Sequence, residues 1–206
     1  MSQPPPLPSA ASSIPEPPKA RGSFSVVRMV TICAAIGVGL MALIAAVGYW
    51  ESSIAIGKAK NHASQAIASD LELAINNFYT DTDELPKVGT QVQTDSAEGI
   101  KLLEILLGLE DRKGKVQNFD SVKYLSVKET KTKSKGLLYN ETGRSVIGLY
   151  DTWGNPFTVV LNPKPALEPL RFTVGGKEEI LKGRKVAIYS PGADKKPGTA
   201  DDVRTW

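Results

Sequence analysis

The sequence predicts an α+β chain in which one long N-terminal helix precedes a region of short strands. Three observations carry this. Met29–Trp50 holds no charged residue and runs on, without proline or turn cluster, into apolar residues at helical spacing. Thr80-Asp81-Thr82-Asp83 and then Pro86 end that pattern. Beyond Pro86, short apolar or alternating runs are separated by glycine, proline and asparagine. The expected division is a proline-rich tail or leader at 1–21, a membrane-crossing helix at 22–50, its amphipathic continuation at 51–80, and a globular α+β region with an acidic C-terminal loop at 81–206.

The tail, MSQPPPLPSAASSIPEPPKA, offers few large apolar groups to bury, and its prolines have fixed φ and no backbone donor. It reads as a solvated tail, with Pro4-Pro5-Pro6-Leu7-Pro8 as an alternative peptide ligand. From Met29 to Trp50 are 22 uncharged residues, about 33 Å of helix against a hydrocarbon core of about 30 Å. Tyr49 and Trp50 at one end, and Lys19, Arg21 and Arg28 before it, favour an N-terminus inside and a C-terminal domain outside. A cleaved secretory signal, with Ala45-Ala46-Val47-Gly48 as its cleavage site, would need a shorter apolar core. The same helix is predicted to reach near Tyr79, with Ala59, Ala63, Ala66, Ile67, Leu71, Ala74, Ile75 and Phe78 forming a stripe that needs a sheet or helix to lie against.

Downstream, Asp95-Ser96-Ala97-Glu98 fits a capping box with Asp95 as the cap. Ile100, Leu103, Ile105, Leu106 and Leu107 then make a short helix that Gly108 terminates. Alternation predicts a strand over 121–127, and the four lysines of 128–135 read as an exposed loop. Strands are also predicted at 147–150, 157–161 and 185–190. Between the first two of these, Trp153, Gly154, Asn155 and Pro156 make a turn, with Trp153 covering the core edge.

Composition narrows the function classes. A formal net charge of +3, spread along the chain, argues against a nucleic-acid partner. One cysteine, Cys33, precludes an intramolecular disulfide, and one histidine, His62, excludes multi-histidine metal sites and a triad needing a second histidine. The chain has no phosphate-binding glycine loop or serine-nucleophile motif, so it reads as structural and not as an enzyme.

The last segment, SPGADKKPGTADDVRTW, places Asp194, Asp201 and Asp202 on a stretch that folds back on itself. Two readings stand. Three carboxylates with loop carbonyls suit a hard cation such as calcium, or the aspartates cap backbone donors in a solvated turn. Trp206 is expected to pack back on the domain.

Four features together resemble the major pseudopilin of bacterial type II secretion and its type IV pilin-like relatives. They are the apolar helix continuing as an amphipathic one; Ala74-Ile75-Asn76-Asn77-Phe78-Tyr79-Thr80-Asp81 with Leu85-Pro86; Asp151-Thr152-Trp153-Gly154-Asn155-Pro156-Phe157; and Ser190-Pro191-Gly192-Ala193-Asp194 with Gly198-Thr199-Ala200-Asp201-Asp202-Val203 and Trp206. The resemblance implies a pilin-like fold: a long transmembrane and amphipathic helix packed on a small antiparallel β-sheet, with calcium in the C-terminal loop at Asp194, Asp201 and Asp202. It implies self-association, contact with other secretion-apparatus subunits and membrane lipid, and processing by a prepilin peptidase at Gly22, Ser23 and Phe24. The place implied is the bacterial inner membrane, single-pass, N-terminus cytoplasmic and C-terminal domain periplasmic. The front departs from the family pattern: Ser23 separates the glycine from the phenylalanine, and counting from Phe24, Arg28 stands where the family has a glutamate. That departure supports a second expectation, an uncleaved single-pass membrane protein whose periplasmic domain binds a protein partner.

Overall fold

The computed structural model describes residues 26–111 and 114–206; at helix positions 26–28, 42, 45, 46, 48 and 50–54 it describes the backbone alone. The expected tail and the processing residues Gly22, Ser23 and Phe24 lie outside the described residues. Two compact units divide at Trp50/Glu51. The elements in chain order are α1 (Val26–Thr82), β1 (Gln91–Gln93), α2 (Ala97–Leu107), β2 (Glu129–Thr130), β3 (Gly136–Tyr139), β4 (Val146–Tyr150), β5 (Thr158–Leu161), β6 (Leu170–Val174), β7 (Lys177–Leu181), β8 (Val186–Ser190) and β9 (Val203–Arg204).

In the first unit every residue from Met29 to Met41 is exposed. In the second unit α1 buries Ser64, Ala68, Leu71, Ala74, Ile75 and Phe78, a stripe at steps of three and four. The expected stripe holds from Leu71 to Phe78. Before that it is turned: Ala59 and Ala66 are exposed and Ser64 is buried in their place. A buried hydroxyl is tolerated there because Ser64 Oγ hydrogen-bonds Thr152 Oγ1 at 2.8 Å. At the helix end Thr82 Oγ1 donates to the Phe78 carbonyl and Asp83 takes a left-handed φ of 56° before Pro86.

Helix α2 is capped by Ser96, not Asp95. Ser96 is extended at φ −81° and ψ 164°, and its Oγ accepts from Gly99 N at 3.1 Å. Gly108, at φ 69°, terminates α2 as expected. The strand expected over 121–127 does not form. The Leu106 carbonyl at the end of α2 takes the amides of Tyr124 and Leu125, and Asn118 donates to the Ile105 and Val122 carbonyls. Those backbone groups serve the helix end, and Leu125 is buried against it. Part of the lysine-rich segment is β2, paired in parallel with β3.

Among the described residues three sheets form: β1-β5-β8-β9, β2-β3-β4, and the hairpin β6-β7. In the first, β8 is buried at all five positions, and the alternation shows why. Val159, Leu161, Val186 and Ile188 join the main core with α1 and α2. Val160, Ala187 and Tyr189 face the other way, into a second cluster with Leu170, Phe172 and Val174 of the hairpin.

The chain is therefore α+β, but the expected pilin-like architecture is corrected on two counts. One small antiparallel sheet is replaced, among the described residues, by several sheets: the β6-β7 hairpin covers the second face of the central sheet, and another sheet holds a parallel pair. And among the described residues no helix is long and apolar enough to cross a membrane.

Candidate functional site

Two of the sequence motifs meet at the end of the second unit, around a buried carboxylate. Asp151 follows β4 and is fully buried. Its Oδ1 accepts from the amides of Trp153 and Asn155, each at 2.8 Å, which closes the turn over Gly154. Its Oδ2 accepts from Asn155 Nδ2 at 2.9 Å and from Ser190 Oγ. Asn155 Nδ2 donates again to the Gly192 carbonyl at 2.6 Å. The turn at 151–156 is thereby fastened to the start of the C-terminal loop. Next to it, Thr152 N donates to Ser64 Oγ at 3.0 Å and Thr152 Oγ1 to the Lys60 carbonyl at 3.1 Å, which fastens the same turn to α1.

The expected turn residues are where the sequence puts them. Trp153 packs at the edge of the main core, Gly154 has φ 88°, Asn155 is buried and Pro156 bridges to Tyr150. Trp206 packs edge-on against Phe172 and Tyr189, with ring centroids 5.1 and 6.1 Å away, so the chain end is pinned on the hairpin side of the sheet.

The loop between Ser190 and Val203 is held by its own carboxylates. Asp194 Oδ1 accepts from Lys196 N at 2.7 Å. Asp201 Oδ2 accepts from Asp194 N at 2.9 Å, and Asp201 Oδ1 accepts from Thr199 Oγ1. The Thr199 hydroxyl, with backbone amides as further donors, holds the Asp201 carboxyl below its ordinary value of 3.8 against the opposing effect of burial. Asp202 has a side chain only 1% exposed. Its Oδ2 accepts from Gly198 N at 2.7 Å and from Arg204 Nη2 at 2.8 Å.

Calcium fits these residues poorly. Among the described residues no group of three or more His, Cys, Asp or Glu side chains is placed to hold a metal ion. The most buried of the three aspartates already has a guanidinium on it, and a divalent ion beside Arg204 would meet like charge. The aspartates here cap backbone donors, and Asp202, out of solvent, is also ion-paired with Arg204.

The depressed Asp201 carboxyl sets the sign of an acid effect. A carboxyl lowered in the folded chain stabilises the loop fully above its unfolded value and loses that contribution as pH falls through the folded one. The Asp194 amide resonance is therefore expected to stay constant at neutral pH and to move only in acid, below the ordinary aspartate value of 3.8. Thr199→Val, which removes the main donor, is expected to shift that midpoint upward in the same NMR titration.

The sequence motifs that hold Asp151 and Ser190 do not show that the Ser190 hydroxyl is spent on Asp151, and nothing local marks Ser64 or Arg204. An Asp four residues before Asn in a turn is a readable local signal; the Ser64–Thr152 contact, 88 residues apart, leaves none. No protein-family model matches the chain, and no curated protein or solved structure matches it either.

Proposed function

We propose that the chain is a non-catalytic, pseudopilin-like structural subunit of a type II secretion or related pilus-like apparatus at the bacterial inner membrane, assembling with copies of itself through the first half of α1. The observation that supports this is the apolar surface of that segment. Met29, Val30, Ile32, Ile36, Val38, Leu40, Met41, Leu43, Ile44, Val47 and Tyr49 are each more than half exposed. A surface of that extent on one helix marks a place of association. Ala34, Ala35, Gly37 and Gly39 lie among these residues and let neighbouring helices approach closely. The second unit supports a scaffold role, since its buried Asp151, Thr152, Asn155 and Ser190 side chains fasten turns to one another.

Cys33, the chain's one cysteine, is exposed on the same segment and reports the assembly directly. A short bismaleimide is expected to link copies through Cys33 in native membranes. The double substitution Ile36→Asp and Leu40→Asp puts two charges on one helical face and is expected to reduce the linked species at least about tenfold, with the second unit still folded. Undiminished cross-linking in that variant would reject assembly through this segment.

Arg28 favours a second reading, an uncleaved membrane-held protein that binds a protein partner through its C-terminal domain. N-terminal sequencing and intact mass of protein from its native membrane separate the two. A start at Ser23 or Phe24 supports assembly after processing, whereas an intact N-terminus supports the binding protein.

A further inference from the structure

We infer that Arg204 is the resident cation of the C-terminal acidic loop and holds it in place without a divalent ion. The geometry around Arg204 carries this. Its Nη2 and Nε donate to the same oxygen of Asp202, at 2.8 and 3.3 Å. Its Nη1 lies 3.6 Å from Glu179 of β7. The guanidinium carbon sits 5.7 Å from the centroid of the Trp206 ring, and the Arg204 carbonyl accepts from Gln65 Nε2 of α1 at 2.7 Å. One residue thus joins the loop, the hairpin, the chain end and the long helix.

The position of the charge matters as much as the contacts. Asp202 is the loop carboxylate that is out of solvent, and such a group needs a partner charge and donors on its oxygens. Arg204 supplies the charge, and Gly198 N supplies a further donor. A bound divalent ion would meet the same demand but would stand beside the Arg204 guanidinium as a like charge, so the two compete at this carboxylate. Arg204 stands two residues from Asp202 on β9, and its strand is paired with β8 through Tyr189–Arg204. The cation is therefore built into the sheet, and the loop needs no supply of ions from its surroundings.

The close packing of the loop agrees with a charge held in one place. A Cβ on Gly175 of the hairpin turn would lie 2.4 Å from the Pro197 carbonyl oxygen and 2.6 Å from Gly198 Cα. The loop backbone therefore rests directly on the hairpin that carries Glu179.

Thermal unfolding of the full chain in calcium and in EGTA tests this, together with lysine-specific cleavage after Lys195, since Pro197 protects the bond after Lys196. The wild type is expected to show the same Tm in both, within about 1 °C, and the same slow cleavage. Arg204→Gln is expected to lower Tm by about 5 °C or more, to speed cleavage after Lys195, and to recover part of the loss when calcium is added. Arg204→Lys keeps the charge but not the fork, so it is expected to fall between the two. A wild-type Tm or cleavage rate that depends on calcium would overturn the inference without requiring any variant. So would an Arg204→Gln chain as stable and as slowly cleaved as the wild type. Neither result bears on assembly through α1, which Cys33 cross-linking reads separately.

Discussion

Asp151→Ala is expected to be among the most damaging single substitutions in the second unit, at a cost of about 3–5 kcal/mol. Four donors point at this carboxylate: the amides of Trp153 and Asn155, Asn155 Nδ2 and Ser190 Oγ. Alanine removes the acceptor and leaves the donors in place. Asn155 cannot turn away cheaply, because its amide also holds the Gly192 carbonyl. Each buried donor left unsatisfied costs about 1–3 kcal/mol, and water entering the vacated space recovers only part of that. Against a total stability of about 5–15 kcal/mol for a domain, the loss is large. Urea denaturation followed by the tryptophans measures it. Asp151→Asn is expected to cost less: it keeps the shape and one acceptor oxygen, but presents an amide donor to one pair of donors. A cost below about 1 kcal/mol for Asp151→Ala would mean that the turn is held by something other than this carboxylate.

That network also shows where reading the sequence succeeds and where it stops. Local signals served well. Gly108 ends α2, Asp83 and Pro86 end α1, and the apolar runs at 147–150, 157–161 and 185–190 are β4, β5 and β8 to within a residue. Leu170, Phe172 and Val174 alternate with polar residues ahead of Gly175-Gly176, a pattern that suffices to predict the β6-β7 hairpin. The strand expected over 121–127 failed for a different reason. Its alternation is real, but the carbonyls at the end of α2 needed those amides and took them. The aspartates of the last loop were read as a set because they share a charge. Their partners, Thr199, Arg204 and backbone amides, were present in the same stretch and point to ion pairing and capping once the fold brings them together. Ser64 could not be found at all: a serine on the buried stripe of a helix looks like an interruption until Thr152 is placed against it.

Gly192→Ala is expected to cost about 2–4 kcal/mol and to displace the loop that follows it. Gly192 has φ +68°, where an L side chain is strained, and a Cβ there would lie 2.2 Å from the Asp201 carbonyl oxygen and 2.8 Å from its carbonyl carbon. Both are backbone atoms, so no rotamer change relieves the collision, and the two ends of the loop must part. Gly183 separates the two causes. It has φ +67°, nearly the same conformation, but a Cβ there meets nothing within 4 Å. Gly183→Ala is therefore expected to cost only the conformational term, about 1 kcal/mol. The difference between the two alanine variants isolates the close approach of residues 192 and 201. Cleavage after Lys195 should quicken for Gly192→Ala and stay at the wild-type rate for Gly183→Ala. Equal costs for the two would place the requirement in backbone conformation alone. A greater cost at Gly192, with faster cleavage, would locate it where the Asp151 network and the Arg204-held loop meet, since the Gly192 carbonyl is bound by Asn155 and Asp201 anchors the Asp194 amide.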